Sequence, residues 1–190
     1  MSGGPLAGVR VLDLTAVVMG PFATQILGDL GAEVITVEDV KGDTNRTMGL
    51  GPHPQFSGVS LNLLRNKRNI SLDLRHPDGR EACLRLGERA DVVITNLRAA
   101  GSLRRLGLHY EAVSARNPQV IYCQAQGWPT DSPDADRPAY DDVVQSAAGM
   151  AALLELRDGE PAIAPTIMAD KLSGITIVYA VLAALYHRER

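Results

Sequence analysis

The chain has 190 residues, of which 45% are hydrophobic and 22% charged, so it can bury a core and is too apolar for general disorder. Its formal net charge is −3, from 19 basic and 22 acidic residues, and this balance provides no broad cationic surface for nucleic acid. We therefore expect a globular protein without a nucleic-acid partner.

Residues 9–38 predict a strand, a helix and a second strand. The run VRVLDL (9–14) is typical of a strand, and apolar side chains then recur at helical spacing over residues 21–31. The run AEVITVE (32–38) predicts the second strand. A strand, helix and strand in so short a segment indicate parallel pairing with a right-handed crossover.

Residues 39–60 have no apolar period and are rich in Gly, Pro, Asn and Asp, which predicts a long loop. Loops of this length in compact domains are usually functional, so we expect ligand contacts there. The elements predicted after it are a strand at 69–74, a helix at 77–90, a strand at 91–96, short helices at 103–108 and 110–116, and a strand at 119–126.

The C-terminal part predicts a second loop at 127–138, one helix at 140–156 and a last helix at about 171–188. Strands that alternate with helices predict an α/β fold, with an open, Rossmann-like and mostly parallel sheet flanked by helices. Ligands of such sheets bind outside the carboxyl ends of the strands.

We expect a cytoplasmic protein, because the sequence shows no pattern that directs it to secretion. The N-terminus has no signal-peptide pattern, and the longest apolar stretch, residues 175–186, is shorter than the roughly 20 residues of a membrane span. The short apolar stretch predicts no membrane partner. Cys83 and Cys123 have no CxxC spacing, so we expect reduced, buried thiols.

Two common kinds of site are disfavoured. The loop TAVVMGP after the first strand lacks the G-x-G-x-x-G pattern, so NAD binding is not expected although Glu38 ends the second strand. The four histidines lie at scattered positions without paired spacing. Neither a metal site nor a histidine-based triad is therefore expected.

Asp170 stands directly before a nearly all-apolar helix. Such a carboxylate suits a helix N-cap, where it accepts backbone N–H bonds. It also suits a nucleophile, because donors that stabilise a carboxylate keep it ionised. Both interpretations stay open at this point.

A group of basic side chains flanks the predicted strands. On one rim of a sheet they could hold the phosphates of a large anionic ligand, and a solvated face is the alternative. These residues are Lys67, Arg68, Arg75 and Arg105.

Several blocks of the sequence, in this order, resemble one family. They are residues 5–38, NKR-I-LDL at 66–74, ADVVITN at 90–96, AYDDVVQSAAGM at 139–150 and YAVLAALYHRER at 179–190. With them the chain resembles the class III CoA-transferases, the family of formyl-CoA transferase and carnitine CoA-transferase, with α-methylacyl-CoA racemase as a relative.

The resemblance implies that CoA moves from an acyl-CoA thioester to a carboxylic acid through an aspartyl-CoA intermediate. The family's aspartate stands in a segment like ADLxxG, which ADKLSG matches here, so the resemblance assigns the nucleophile to Asp170. It implies coenzyme A or acyl-CoA as substrate, with no permanently bound cofactor and no metal.

The resemblance also implies a set of CoA contacts at the ends of the predicted strands. They are Val17 and Met19 in the first loop, Leu72 and Arg75 around the adenine and phosphates, Asn96 and Leu97 at a strand end, Arg105 at a phosphate, and Tyr140 near the pantetheine thiol.

Two departures from the family keep alternatives open. Racemase relatives carry a histidine where this chain has Tyr140, which favours a transferase over an acyl-CoA racemase. Asp39 stands where the family often has a basic residue, and it would repel the CoA phosphates if it pointed inward. The other alternative is therefore a non-catalytic CoA-binding or subunit-interaction module.

The resemblance also sets an expectation for domain organisation. Residues 1–190 correspond to the N-terminal portion of the family's large α/β domain, without the C-terminal half. We expect a homodimer in the full-length protein and no activity from this half-chain alone.

Overall fold

A computed structural model describes residues 3–97, 102–135 and 137–190. Its sheet has five parallel strands in the order β3-β2-β1-β4-β5. The strands are β1 (Arg10–Leu14), β2 (Glu33–Glu38), β3 (Lys67–Ser71), β4 (Val92–Thr95) and β5 (Ile121–Gln124). The predicted α/β fold, a parallel sheet flanked by helices, is confirmed.

The helices alternate with the strands up to β5 and then follow one another. They are α1 (Met19–Asp29), α2 (Gly58–Leu63), α3 (Pro77–Gly87), α4 (Arg104–Leu106), α5 (Tyr110–Ser114), α6 (Asp141–Ala147), α7 (Met150–Asp158) and α8 (Met168–Arg188), with a 3₁₀ helix at Thr44–Arg46.

The predicted loop at residues 39–60 is partly helical. The Asp43 carboxylate accepts a hydrogen bond from the Asn45 N–H (2.6 Å) and begins the 3₁₀ helix, and the Ser57 hydroxyl accepts one from the Ser60 N–H (3.1 Å) and begins α2. These capped turns are stabilised by local polar contacts rather than by an apolar face, so the apolar period did not indicate them.

The prediction of a single helix at residues 140–156 is wrong, because the segment forms the two helices α6 and α7. Gly149 has φ 83° and separates α6 from α7. A left-handed residue ends the intrahelical hydrogen-bond pattern, and glycine adopts this conformation without steric cost.

The central strands β1 and β4 are buried on both faces of the sheet, as is usual for parallel strands, whereas the edge strand β3 is largely exposed. On one face, Val11 of β1 packs in a cluster with Leu27 of α1 and Val181 of α8. On the other face, Leu12 packs in a cluster with Cys83 of α3. The alternation along β1 therefore places α1 and α8 on one side of the sheet and α3 on the other.

The 21-residue helix α8 packs closely against α1. A Cβ atom at Gly174 would lie 2.8 Å from Phe22 Cδ1 and 2.9 Å from the Met19 carbonyl oxygen, so only glycine permits this approach. By length and composition alone α8 is apolar enough to cross a membrane, and 28% of its most apolar window is buried. Helix α8 begins at Met168, three residues before the helix predicted at about 171–188, and extends beyond the apolar stretch at residues 175–186 at both ends.

Candidate functional site

Five of the predicted site residues come shortly after the carboxyl ends of strands, which share one edge because the strands are parallel. They are Val17, Leu72, Arg75, Asn96 and Leu97. The strand order reverses direction between β1 and β4, the point at which open α/β sheets bind ligands. Asn96, directly after β4, links the loops that follow β4 and β1. Its Oδ1 accepts from the Ala16 N–H (3.1 Å) and its Nδ2 donates to the Ala16 carbonyl (2.8 Å).

A pocket of ≈ 640 Å³ adjoins the loop that follows β1. Its wall is largely apolar, and the charged side chains in it are all acidic. The lining residues are Val17, Val18, Met48, Tyr140, Asp141, Asp142, Gln145, Ile163, Ala164, Pro165, Thr166, Ile167 and Asp170. The pocket therefore combines an apolar surface with three carboxyl groups.

Asp170 lies half-buried in the first turn of α8, not at its N-cap. The N-cap is Ile167, so the N-cap interpretation of Asp170 is wrong. The Asp170 N–H donates instead to Asp141 Oδ1 at 2.9 Å. A carboxylate from α6 therefore caps α8 and leaves the Asp170 side chain at the pocket.

Burial raises the pKa of the Asp170 carboxyl above its ordinary value, and the charge of Asp141 raises it further. The first turn of a helix by itself favours a negative charge, whereas burial and the neighbouring carboxylate disfavour it. This differs from the expectation that N–H donors would stabilise the ionised form. The raised pKa makes the Asp170 carboxylate more basic than an exposed one.

Gln145 fixes the segment that leads into α8. Its side chain is 3% exposed, its Oε1 accepts from the Ala164 N–H (2.8 Å), and its Nε2 donates to the Thr166 carbonyl (3.0 Å) and to Asp141 Oδ2. Sequence reasoning missed the roles of Asp141 and Gln145. The AYDDVVQSAAGM block (139–150) contained both, but their partners lie about twenty or more residues away in sequence, at separations that no local pattern indicates.

The structure brings Val17, Tyr140 and Asp170 together in one pocket. Met19 begins α1, and its carbonyl oxygen lies beside Gly174, one helical turn beyond Asp170. Leu97 packs partly buried against the α3 side of the sheet, and its N–H donates to Thr95 Oγ1 (3.1 Å).

The other predicted CoA contacts do not line this pocket. Leu72 follows β3 and packs partly buried on the α3 side of the sheet, and Arg105 is exposed on α4. Arg75 is exposed, and its guanidinium lies 3.7 Å from the Asp39 carboxylate. The acidic residue that departs from the family pattern therefore contacts one of the predicted phosphate ligands.

Lys67 is buried, so the suggestion that it holds a phosphate is wrong. Its side chain is 2% exposed, and Nζ lies 3.1 Å from Asp13 Oδ2 and 2.7 Å from Thr24 Oγ1. Arg68 pairs with Glu33 at 2.6 Å, at the amino end of β2 and away from the ligand edge.

Within residues 3–97, 102–135 and 137–190, no three His, Cys, Asp or Glu side chains converge as a metal site.

Comparison with known proteins gives one consistent family. The model of "CoA-transferase family III" matches residues 6–190. Over 98% of its length the chain is 40% identical to a probable fatty acyl-CoA transferase of Mycobacterium tuberculosis and 39% identical to a succinate–glutarate CoA-transferase of Agrobacterium fabrum, and it covers 48% of each.

A solved structure of a CAIB/BAIF family protein from Brucella suis has a TM-score of 0.93 and 38% identity. The similarity covers 100% of this chain and 51% of that one. The chain thus spans about half the length of the relatives that it matches.

Proposed function

The chain belongs to CoA-transferase family III, and on that premise we propose that it provides the nucleophilic half of an enzyme that moves CoA from an acyl-CoA thioester to a carboxylic acid. We assign the nucleophile to Asp170. The observation that carries this assignment is a half-buried carboxyl group with a raised pKa in a largely apolar pocket at the ligand-binding edge of the sheet.

The proposed reaction runs through two covalent states of Asp170. A carboxylate oxygen attacks the thioester carbonyl carbon and the carbon–sulfur bond breaks. CoA thiolate departs, and a mixed anhydride between Asp170 and the acyl group forms. The thiolate then attacks the side-chain carbonyl carbon of Asp170 and releases the donor acid as a carboxylate. The acceptor carboxylate reverses both steps, which regenerates Asp170 and gives the new acyl-CoA.

The surroundings of Asp170 suit this chemistry. Partial desolvation makes the carboxylate a better nucleophile. The Asp141 carboxylate accepts the Asp170 N–H and so fixes the first turn of α8. Its charge also keeps the Asp170 oxygens electron-rich.

We propose that CoA lies along the carboxyl edge of the sheet, with its phosphates towards Arg75 and Arg105 and its thiol end towards Tyr140. The relatives' names include fatty acyl, succinate and glutarate groups, so we propose an acyl-CoA as the donor and a carboxylic acid as the acceptor. A homodimer and a cytoplasmic location of the full-length protein stay part of this proposal.

The test is covalent capture on the full-length protein. The protein is incubated with an acyl-CoA, quenched with hydroxylamine and digested, and the peptide that contains Asp170 is analysed by mass spectrometry. We expect a hydroxamate on Asp170, no transfer activity in Asp170→Asn, and full activity in Asp158→Asn, whose carboxylate pairs with Arg157 on the exposed end of α7.

Two other outcomes identify the alternatives. CoA binding without labelling of Asp170 would contradict the transferase mechanism and leave a binding module. Exchange of the substrate's α-proton with deuterated water, without an acceptor acid, would identify a racemase.

A further inference from the structure

The loop that follows β1 contains a strained residue in the wall of the pocket. Val17 has φ 69°, a left-handed conformation that β-branched side chains rarely adopt. Asn66 shares this feature, but asparagine tolerates it far better than valine. Strained residues persist where the surrounding structure fixes them, and they concentrate at functional sites.

Asn45 supplies the contact that fixes Val17. Its side chain is fully buried, and its Nδ2 donates to the Val17 carbonyl oxygen. Asn45 is itself fixed on both sides of its backbone. Its N–H donates to Asp43 Oδ1 (2.6 Å), and its carbonyl accepts from the Ser57 hydroxyl.

The residues before Val17 are fixed as well. The Ala16 backbone is paired in both directions with the Asn96 amide. The Thr15 N–H donates to Asp13 Oδ1 (3.0 Å), and Asp13 is buried in an ion pair with Lys67. The backbone of three consecutive residues is therefore hydrogen-bonded to three different side chains, and those of Asn96 and Asn45 are distant in sequence.

We propose that Asn45 is a positioning residue, which holds Val17 in its left-handed conformation so that the pocket wall keeps its place opposite Asp170. This inference rests on the proposed transferase function for its kinetic consequence. The predicted ligand loop at residues 39–60 acts here by supporting a neighbouring loop, and Asn45 needs no contact with substrate.

The test compares two amide-to-acid substitutions in the full-length protein. Asn45→Asp replaces the donor with an oxygen that repels the Val17 carbonyl. The matched control is Asn117→Asp, because the Asn117 Nδ2 also donates to backbone carbonyls, those of Gly87 (3.0 Å) and Ala90 (2.8 Å), away from the pocket. Should Asn45→Asp fail to fold, Asn45→Ser gives the same readouts with a shorter side chain.

We expect Asn45→Asp to lower kcat about tenfold or more with a change in KM below about threefold, since small misplacements near reacting groups reduce rates strongly. Asn117→Asp should lose stability and keep its kcat. Hydrogen exchange of the amides in residues 15–19 should become faster in Asn45→Asp only. Val17→Gly added to Asn45→Asp should restore part of kcat, because glycine adopts a positive φ without support.

Wild-type kcat in Asn45→Asp, or an equal loss of kcat in Asn117→Asp, would overturn the inference. Unchanged exchange of residues 15–19 in Asn45→Asp would overturn it too. If the wild-type protein transfers no CoA, the proposed function fails, and the exchange measurement still decides whether Asn45 holds the loop.

Discussion

At the level of single residues, the carboxyl group of Asp170 is controlled by where its neighbours come from. Asp141 lies 29 positions earlier in the chain, yet it accepts the Asp170 N–H and raises the pKa of the Asp170 side chain. The Asp141 carboxylate thus orients the backbone of Asp170 and increases the basicity of the Asp170 side chain. The stability of the fold should show a corresponding dependence on pH.

Asp170→Asn should make the protein more stable than wild type at neutral pH. Because the folded state raises the pKa of Asp170 above its unfolded value of 3.8, the ionised side chain opposes folding, and wild-type stability falls as pH rises through this range. The advantage of the variant should therefore vanish as pH falls below the ordinary carboxyl range. Urea unfolding at a series of pH values measures it.

Asp158→Asn is the control, because the pKa of Asp158 is shifted in the opposite direction. Arg157 lowers the pKa of the exposed Asp158 carboxyl, so its ionised form favours folding above the ordinary carboxyl range and this contribution is lost as pH falls. Its replacement should not stabilise the protein at neutral pH. A destabilised Asp170→Asn at neutral pH would show that the helix N-terminus outweighs burial and Asp141.

At the level of elements, the break between α6 and α7 separates the helix that bears Asp141 and Gln145 from the helix that follows. Gly149 makes the break with its positive φ, and a Cβ atom there would meet nothing within 4 Å. The requirement for glycine is therefore conformational rather than steric. This allows the cost of the backbone conformation to be measured alone.

Gly149→Ala should lower the free energy of unfolding by about 1–2 kcal/mol, the cost of a left-handed conformation for an L-residue. Gly58→Ala is the matched control, because Gly58 begins α2 without a positive φ and a Cβ atom there would lie 3.5 Å from its nearest neighbour. That variant should be neutral or slightly stabilising. Equal effects of the two substitutions in denaturant unfolding would contradict the conformational explanation.

At the level of the whole molecule, the candidate site extends along the carboxyl edge of the sheet. Asp170 and its pocket adjoin the β1–α1 loop, whereas Asp39 and Arg75 follow β2 and β3. Because the net charge of the chain is −3, the proposed binding of CoA phosphates requires local positive charge. The contact between Asp39 and Arg75 reduces that charge at the proposed phosphate end.

Asp39→Asn should strengthen CoA binding, with the dissociation constant falling about twofold to fivefold, because an exposed ion pair is worth roughly 0.2–1 kcal/mol. The gain should shrink at high salt, which screens exposed charges. Calorimetric titration with CoA at low and high salt measures both effects. The control Asp158→Asn removes one negative charge on α7 and should leave the affinity for CoA unchanged. Weaker CoA binding by Asp39→Asn would refute a phosphate site at Arg75.

Local patterns in the sequence determined the α/β alternation, the parallel sheet and the family. Apolar period and turn residues are properties of neighbouring positions, so they predict strands and helices wherever an apolar face decides the element. The family blocks placed Asp170 and Val17 at the ligand edge, and the pocket brings these two together. The remaining site assignments stay predictions.

Only the tertiary structure decided which polar groups are free and which are occupied. Lys67 forms a buried ion pair with a residue 54 positions away, and Asn45 supports a loop 28 positions away. Whether a lysine binds a phosphate or an internal carboxylate depends on burial and on partners that packing brings together. The free energies of both arrangements are set by this environment, which no local stretch of sequence contains.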